Sequence, residues 1–109
     1  MSYSTKEAGR KRLPNRRLAE SFEFHGGFAY VATISRFPDG RLAEISLTNG
    51  KCGSDSDMAA RDGAVVGSLA LQYGVPVDVI RRAPLRNAEG CGSGPLAVAL
   101  DIIATEYWR

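Results

Sequence analysis

A chain of 109 residues, 44% hydrophobic and 24% charged, suffices for one domain with one modest core and is ordinary for a soluble globular protein. No apolar run is long enough to span a bilayer, and the N-terminal "MSYSTKEAGRKRLPNRR" lacks the apolar middle of a secretory signal. The expected location is therefore the cytoplasm, with Cys52 and Cys91 as free thiols.

The net charge of +2 is unevenly spread. Residues 1–20 hold Lys6, Arg10, Lys11, Arg12, Arg16 and Arg17 against Glu7 and Glu20, a balance of +4; the rest of the chain carries −2. This stretch has no apolar periodicity and contains Pro14, so residues 1–20 are expected to form a flexible or loosely docked arm. Arg10, Lys11, Arg12, Arg16 and Arg17 suit weak contact with nucleic acid or another polyanion; a solubilising tail has the same composition.

From Ser21 the period changes to two. Phe22, Phe24, Phe28, Tyr30, Ala32 and Ile34 alternate with polar residues, which predicts two half-buried strands joined at "HGG". "FPDGR" is a second reversal, with Pro38 presetting φ and Asp39-Gly40 suiting a tight turn. A third strand follows in "RLAEISLTN", with Ala43, Ile45 and Leu47 on one face and Leu42 and Glu44 on the other. "SDSDMAARDGAVVGSLALQYG" reads as one long helix capped by Asp55 or Ser56 and stopped at Gly74. Its predicted core stripe is Met58, Val65, Leu69 and Gln72, widened by Val66 and Tyr73. Its small residues, among them Gly63, Ala64, Gly67 and Ser68, allow close approach to the sheet or to another helix. "VPVDVIRRA" predicts a short helix between Pro76 and Pro84. "PLAVALDIIATEYW" predicts a third, with Leu96, Ala99, Leu100 and Ile103 facing the core.

The chemistry-bearing residues are few. Two distant cysteines and a lone histidine match no zinc spacing, and His25, beside a turn, has no nucleophile signature around it. "GKCGS" leads into a helix N-terminus without the spacing of a Walker loop. Lys51, Gly53 and Ser54 are candidate anion ligands there; equally, Gly50 and Gly53 make the reversal and Ser54 satisfies helix-end amides. Arg61 and Asp62 suit a local pair. Arg81, Arg82 and Arg86 form either an exposed face or a second anion patch.

The ordered segments "DGRLAEISL", "KCGSDSDMAARD", "SLALQYGVPVDVI" and "GSGPLAVALDII" resemble the TSCPD domain across residues 21–104. That domain occurs as a C-terminal module of adenosylcobalamin-dependent ribonucleotide reductases and as short stand-alone proteins. Ser93 and Pro95 match its naming motif, whereas Gly92, Gly94 and Leu96 replace its threonine, cysteine and aspartate. Many relatives carry four cysteines thought to bind metal; this chain has two. It also lacks the length for the reductase barrel. Neither a metal nor a cofactor is expected.

The resulting expectation is an α+β domain over residues 21–109: a three-stranded antiparallel meander covered on one face by a long helix and two shorter ones, with the basic arm ahead of it. The expected function is a non-catalytic accessory or binding module related to the C-terminal domain of vitamin B12-dependent ribonucleotide reductase, with that reductase, a nucleotide or a nucleic acid as partner and no membrane contact. The alternatives are a phosphate- or nucleotide-binding regulator using Lys51, Gly53, Ser54, Arg81 and Arg82, and a structural homodimer joined through the small-residue helix.

Overall fold

The computed structural model describes residues 9–51, 53–84 and 87–107. Three strands, β1 (Glu20–His25), β2 (Ala29–Arg36) and β3 (Leu42–Thr48), form an antiparallel sheet in sequence order. The helices are α1 (Asp55–Gln72), α2 (Val77–Arg82) and α3 (Pro95–Ile102), the last continuing as a π-helical turn over Ile103–Tyr107. The expected α+β meander with helices on one face is what the chain forms. Among the described residues no helix is long and apolar enough to cross a membrane.

The alternating pattern works through cross-strand pairs. Phe24 lies opposite Tyr30 and their rings stack, with centroids 5.5 Å apart. Ser21 lies opposite Thr33 on the outer face, where their hydroxyls share a hydrogen bond of 2.9 Å. Phe28 departs from the expected stripe: it falls in the β1–β2 turn and is 46% exposed. Leu42 also departs. Arg36 pairs with Leu42 while Ser35 pairs with Glu44, so β3 holds one extra residue at this point and both Leu42 and Ala43 turn inward. Gly40, at φ +94°, closes the β2–β3 reversal, and Asp39 Oδ1 accepts from the Arg41 amide.

The largest correction concerns α1. Of the expected stripe only Gln72 is buried; Met58, Val65, Val66, Leu69 and Tyr73 are exposed. Asp57, Ala60, Ala64, Gly67, Ser68, Leu71 and Gln72 form the inward face instead. The cause is that β3 is an edge strand whose outward backbone groups need partners. Ser68 Oγ accepts from the Ile45 amide and donates to the Ile45 carbonyl, both at 2.9 Å. Gln72 Nε2 donates to the Ala43 carbonyl, and Asp57 Oδ1 accepts from the Asn49 amide. The helix therefore runs antiparallel along the edge and supplies side-chain groups to residues 43, 45 and 49. The small side chains of Ala60 and Ala64 let it come close enough to do so, while Gly67 faces Leu96 of α3. A bulky apolar face at this joint would leave buried peptide groups unpaired, at about 1–3 kcal/mol each.

The third helix completes the cover. Ala97, Ala99, Leu100 and Ile103 are buried, and Leu96 packs partly buried against the same core as Ile34, Ile45 and Leu47. Ala97 replaces Leu96 as a fully inward position because the chain enters α3 at very close range: a Cβ on Gly92 would lie 2.6 Å from Ala97 Cβ.

Candidate functional site

The turn from β3 into α1 gathers the polar residues of "NGKCGSDSD". Gly50 and Gly53 both take positive φ, +78° and +84°, which only glycine adopts without strain. Asn49 Oδ1 accepts from the Lys51 amide, and the Ser54 amide donates to the Lys51 carbonyl. Ser54, rather than Asp55 or Ser56, is the N-cap: its Oγ accepts from the Asp57 amide at 3.3 Å and donates to the Lys51 carbonyl at 2.7 Å. The Lys51 ammonium sits over the Phe28 ring, 5.6 Å from its centroid. Cys52 lies outside the described residues.

Beneath this turn Asp57 is almost wholly enclosed. Its Oδ2 accepts from Arg61 Nε at 2.6 Å, and its Oδ1 accepts from the Asn49 amide and from Thr48 Oγ1 at 2.9 and 3.0 Å. Arg61 Nη2 also donates to Thr48 Oγ1 at 3.1 Å. The Arg61 guanidinium, then the Asn49 amide and the Thr48 hydroxyl, hold the Asp57 carboxyl below the usual aspartate range despite its desolvation. The sequence offers Arg61 a local pair with Asp62; the structure sets Arg61 on Asp57. The spacing of four residues signals the Arg61 bond; nothing local signals Thr48 and Asn49 as partners.

The other candidates belong to other elements. Arg81, on α2, binds Asp101 of α3 at 2.9 Å, and Asp101 Oδ2 accepts from the Gly92 amide. Arg82 is exposed in the last turn of α2, while Arg86 lies outside the described residues. Lys51 and Ser54 thus come together, whereas Arg81 and Arg82 do not join them. Ser93 is exposed, and Pro95 opens α3 behind a Gly94 cap that makes no side-chain bond. His25 is exposed at the end of β1, and Cys91 is exposed. Among the described residues no group of three or more His, Cys, Asp or Glu side chains is placed to hold a metal.

The described part of the basic stretch lies against the domain. Arg10 Nε donates to Gln72 Oε1 and the Lys11 amide to the Gln72 carbonyl, both at 2.8 Å. The Lys11 ammonium and the Arg41 guanidinium flank the buried Phe37 ring at 4.9 and 5.0 Å. Arg17 grips both carboxylate oxygens of Glu44 at 2.8 Å. Arg12 and Arg16 face solvent. Two apolar grooves flank this framework. One, of about 450 Å³, lies between Leu13–Glu20 and the end of β2. The other, of about 550 Å³, lies between α1, α2 and Leu96, floored by Val66, Gly67, Ala70 and Val79.

Comparison with known proteins gives one relationship. Over 73 residues, 65% of this chain, the sequence is 37% identical to a vitamin B12-dependent ribonucleotide reductase of Rhodopirellula baltica. The match spans 7% of that enzyme, so the chain is related to a small part of it. No family model matches the chain, and no solved structure does.

Proposed function

We propose that the chain is an accessory module of the TSCPD type, non-catalytic in itself, whose partner is the body of a vitamin B12-dependent ribonucleotide reductase. The observation that carries this reading is the 73-residue relationship to a segment amounting to 7% of such an enzyme. A segment of that size is too short to hold a reductase's reaction chamber by itself, which supports the reading of an attached module. The polar side chains at the start of α1 fit the same role: Ser54, Asp57, Arg61 and Thr48 bond to one another and to the backbone, an arrangement that builds a fold rather than activates a substrate. The proposed setting is the cytoplasm.

The test pairs two assays. The purified chain, given ribonucleotides, adenosylcobalamin and a thiol reductant, is expected to form no deoxyribonucleotide. Added to a B12-dependent reductase from which the matching segment has been deleted, it is expected to bind and to change turnover. Reduction by the chain alone, or indifference of the truncated enzyme to it, overturns the reading.

A further inference from the structure

Helix α1 packs its small and polar side on the sheet and carries its large apolar side chains on the opposite one. Its inward side covers the sheet edge; its outward side carries Met58, Val65, Val66, Leu69 and Tyr73, each between 37% and 66% exposed. At 100° per residue these five occupy about 100° of the helix surface, facing away from Ala60, Ala64 and Leu71. Val79 of α2, 56% exposed, extends the patch across the adjoining groove. A contiguous exposed apolar patch of this kind marks an interaction surface.

We propose that a second copy of this chain covers this face, the two α1 helices packing antiparallel about a two-fold axis between Val65 and Val66. The spacing of the outward positions carries the assignment. The steps from Met58 through Asp62, Val65, Val66 and Leu69 to Tyr73 are 4, 3, 1, 3 and 4 residues, the same read from either end. A two-fold axis at the centre therefore sets Met58 against the mate's Tyr73, Asp62 against its Leu69 and Val65 against its Val66. This is the self-complementarity an isologous contact requires. A methionine sulfur against an aromatic ring is itself a favourable contact.

Charge agrees with the antiparallel direction. Asp55 is the exposed acid in the first turn of α1, Asp57 being enclosed with Arg61, while Arg10 and Lys11 are bound at the C-terminal end through Gln72. Pairing brings the acidic end of each copy toward the basic end of the other and opposes the helix dipoles. Asp55 and Asp62 are the charged residues on the arc; Asp55 lies at its end, and Asp62 is the one near the dyad. Its two copies stand about 10 Å apart along the paired axes, a full screening length at moderate salt. The exposed apolar side chains supply on the order of 500 Å² per protomer, which with a polar rim reaches the size of a modest dimer interface.

Sedimentation of the full chain over a range of concentrations is expected to show a species of twice the 11.7 kDa protomer mass. Val66→Lys places a charge on the dyad and is expected to raise the dimer dissociation constant at least about a hundredfold. Val31→Lys, on the outer face of the sheet, leaves it unchanged. Orientation is read on a background lacking Cys52 and Cys91: Met58→Cys chains mixed with Tyr73→Cys chains form a cross-linked heterodimer under oxidation, whereas Met58→Cys chains alone do not. A concentration-independent monomer, a dimer indifferent to Val66→Lys, or preferential linkage between two copies of position 58 overturns the proposal. The cross-link also decides the matter if Val66→Lys fails to fold. None of these results depends on the reductase assays above.

Discussion

At the scale of single residues, the turn into α1 separates a cap from a ligand. Ser54 Oγ accepts from the Asp57 amide, while the Lys51 ammonium lies over the Phe28 ring. Ser54→Ala should therefore lower stability by about 0.5–2 kcal/mol in denaturant unfolding, and Lys51→Ala should change it little. Inorganic phosphate should leave the melting temperature of the native chain unmoved; a phosphate-dependent rise that disappears in the double variant would instead make the turn an anion site. Asp57 gives a pH dependence of known sign. Its folded carboxyl is held below the ordinary value by Arg61, Asn49 and Thr48. The stabilisation it provides is present above the unfolded aspartate pKa of about 4 and is lost as pH falls through the lower folded value. Asp57→Asn should flatten the stability curve in that acid window, as measured by denaturant titration at stepped pH. The Ser54 cap was foreshadowed by the Gly-Ser-Asp order, since such residues stop and start helices. The enclosure of Asp57 was not, because Thr48 and Asn49 reach it from the end of a strand that local pattern treats as a separate element.

At the scale of elements, the strands were legible and the helix was legible in extent but not in orientation. Alternation of Tyr30, Ala32 and Ile34 has one physical solution, a half-buried strand. For α1, a stripe of large apolar residues competes with a stripe of small and polar ones, and hydropathy favours the first. The requirement that decided the outcome, peptide groups along the free side of β3, has no trace in the local periodicity of residues 55–72. Leu42 was misplaced for a similar reason, since an extra residue in β3 inverts the alternation from that point. The consequence is testable. Ser68→Ala removes the partner of both the Ile45 amide and the Ile45 carbonyl and should cost about 1–3 kcal/mol, more than Val31→Ala on the outer face of the sheet, although valine is the more hydrophobic residue. Equal losses in chemical denaturation would mean that the helix does not seal the edge in this way.

At the scale of the molecule, the basic stretch and the domain meet at Gln72, Phe37 and Glu44. Residues 10 to 17 thus contribute packing as well as charge. Deleting residues 1–17 removes the bonds to Gln72, the cation over Phe37 and the grip on Glu44. Surface pairs of this kind are individually weak, so the deletion should lower the melting temperature by only a few degrees, read by calorimetry. Any nucleic-acid binding should vanish with the deletion. Before it, the binding should fall with salt along a shallow slope, because Arg10 and Arg17 already have partners within the fold.

The hydroxyl of Ser68 also makes the joint between helix and sheet observable in time. Most sheet amides exchange their hydrogen with water when strands separate. The Ile45 amide is different: its hydrogen is held by a side chain of α1, so it is released whenever the helix lifts, even while β2 and β3 stay paired. Deuterium uptake at Ile45 therefore clocks that one opening, and its protection against that of the β2–β3 amides gives the free energy of the hinge separately from that of the whole fold.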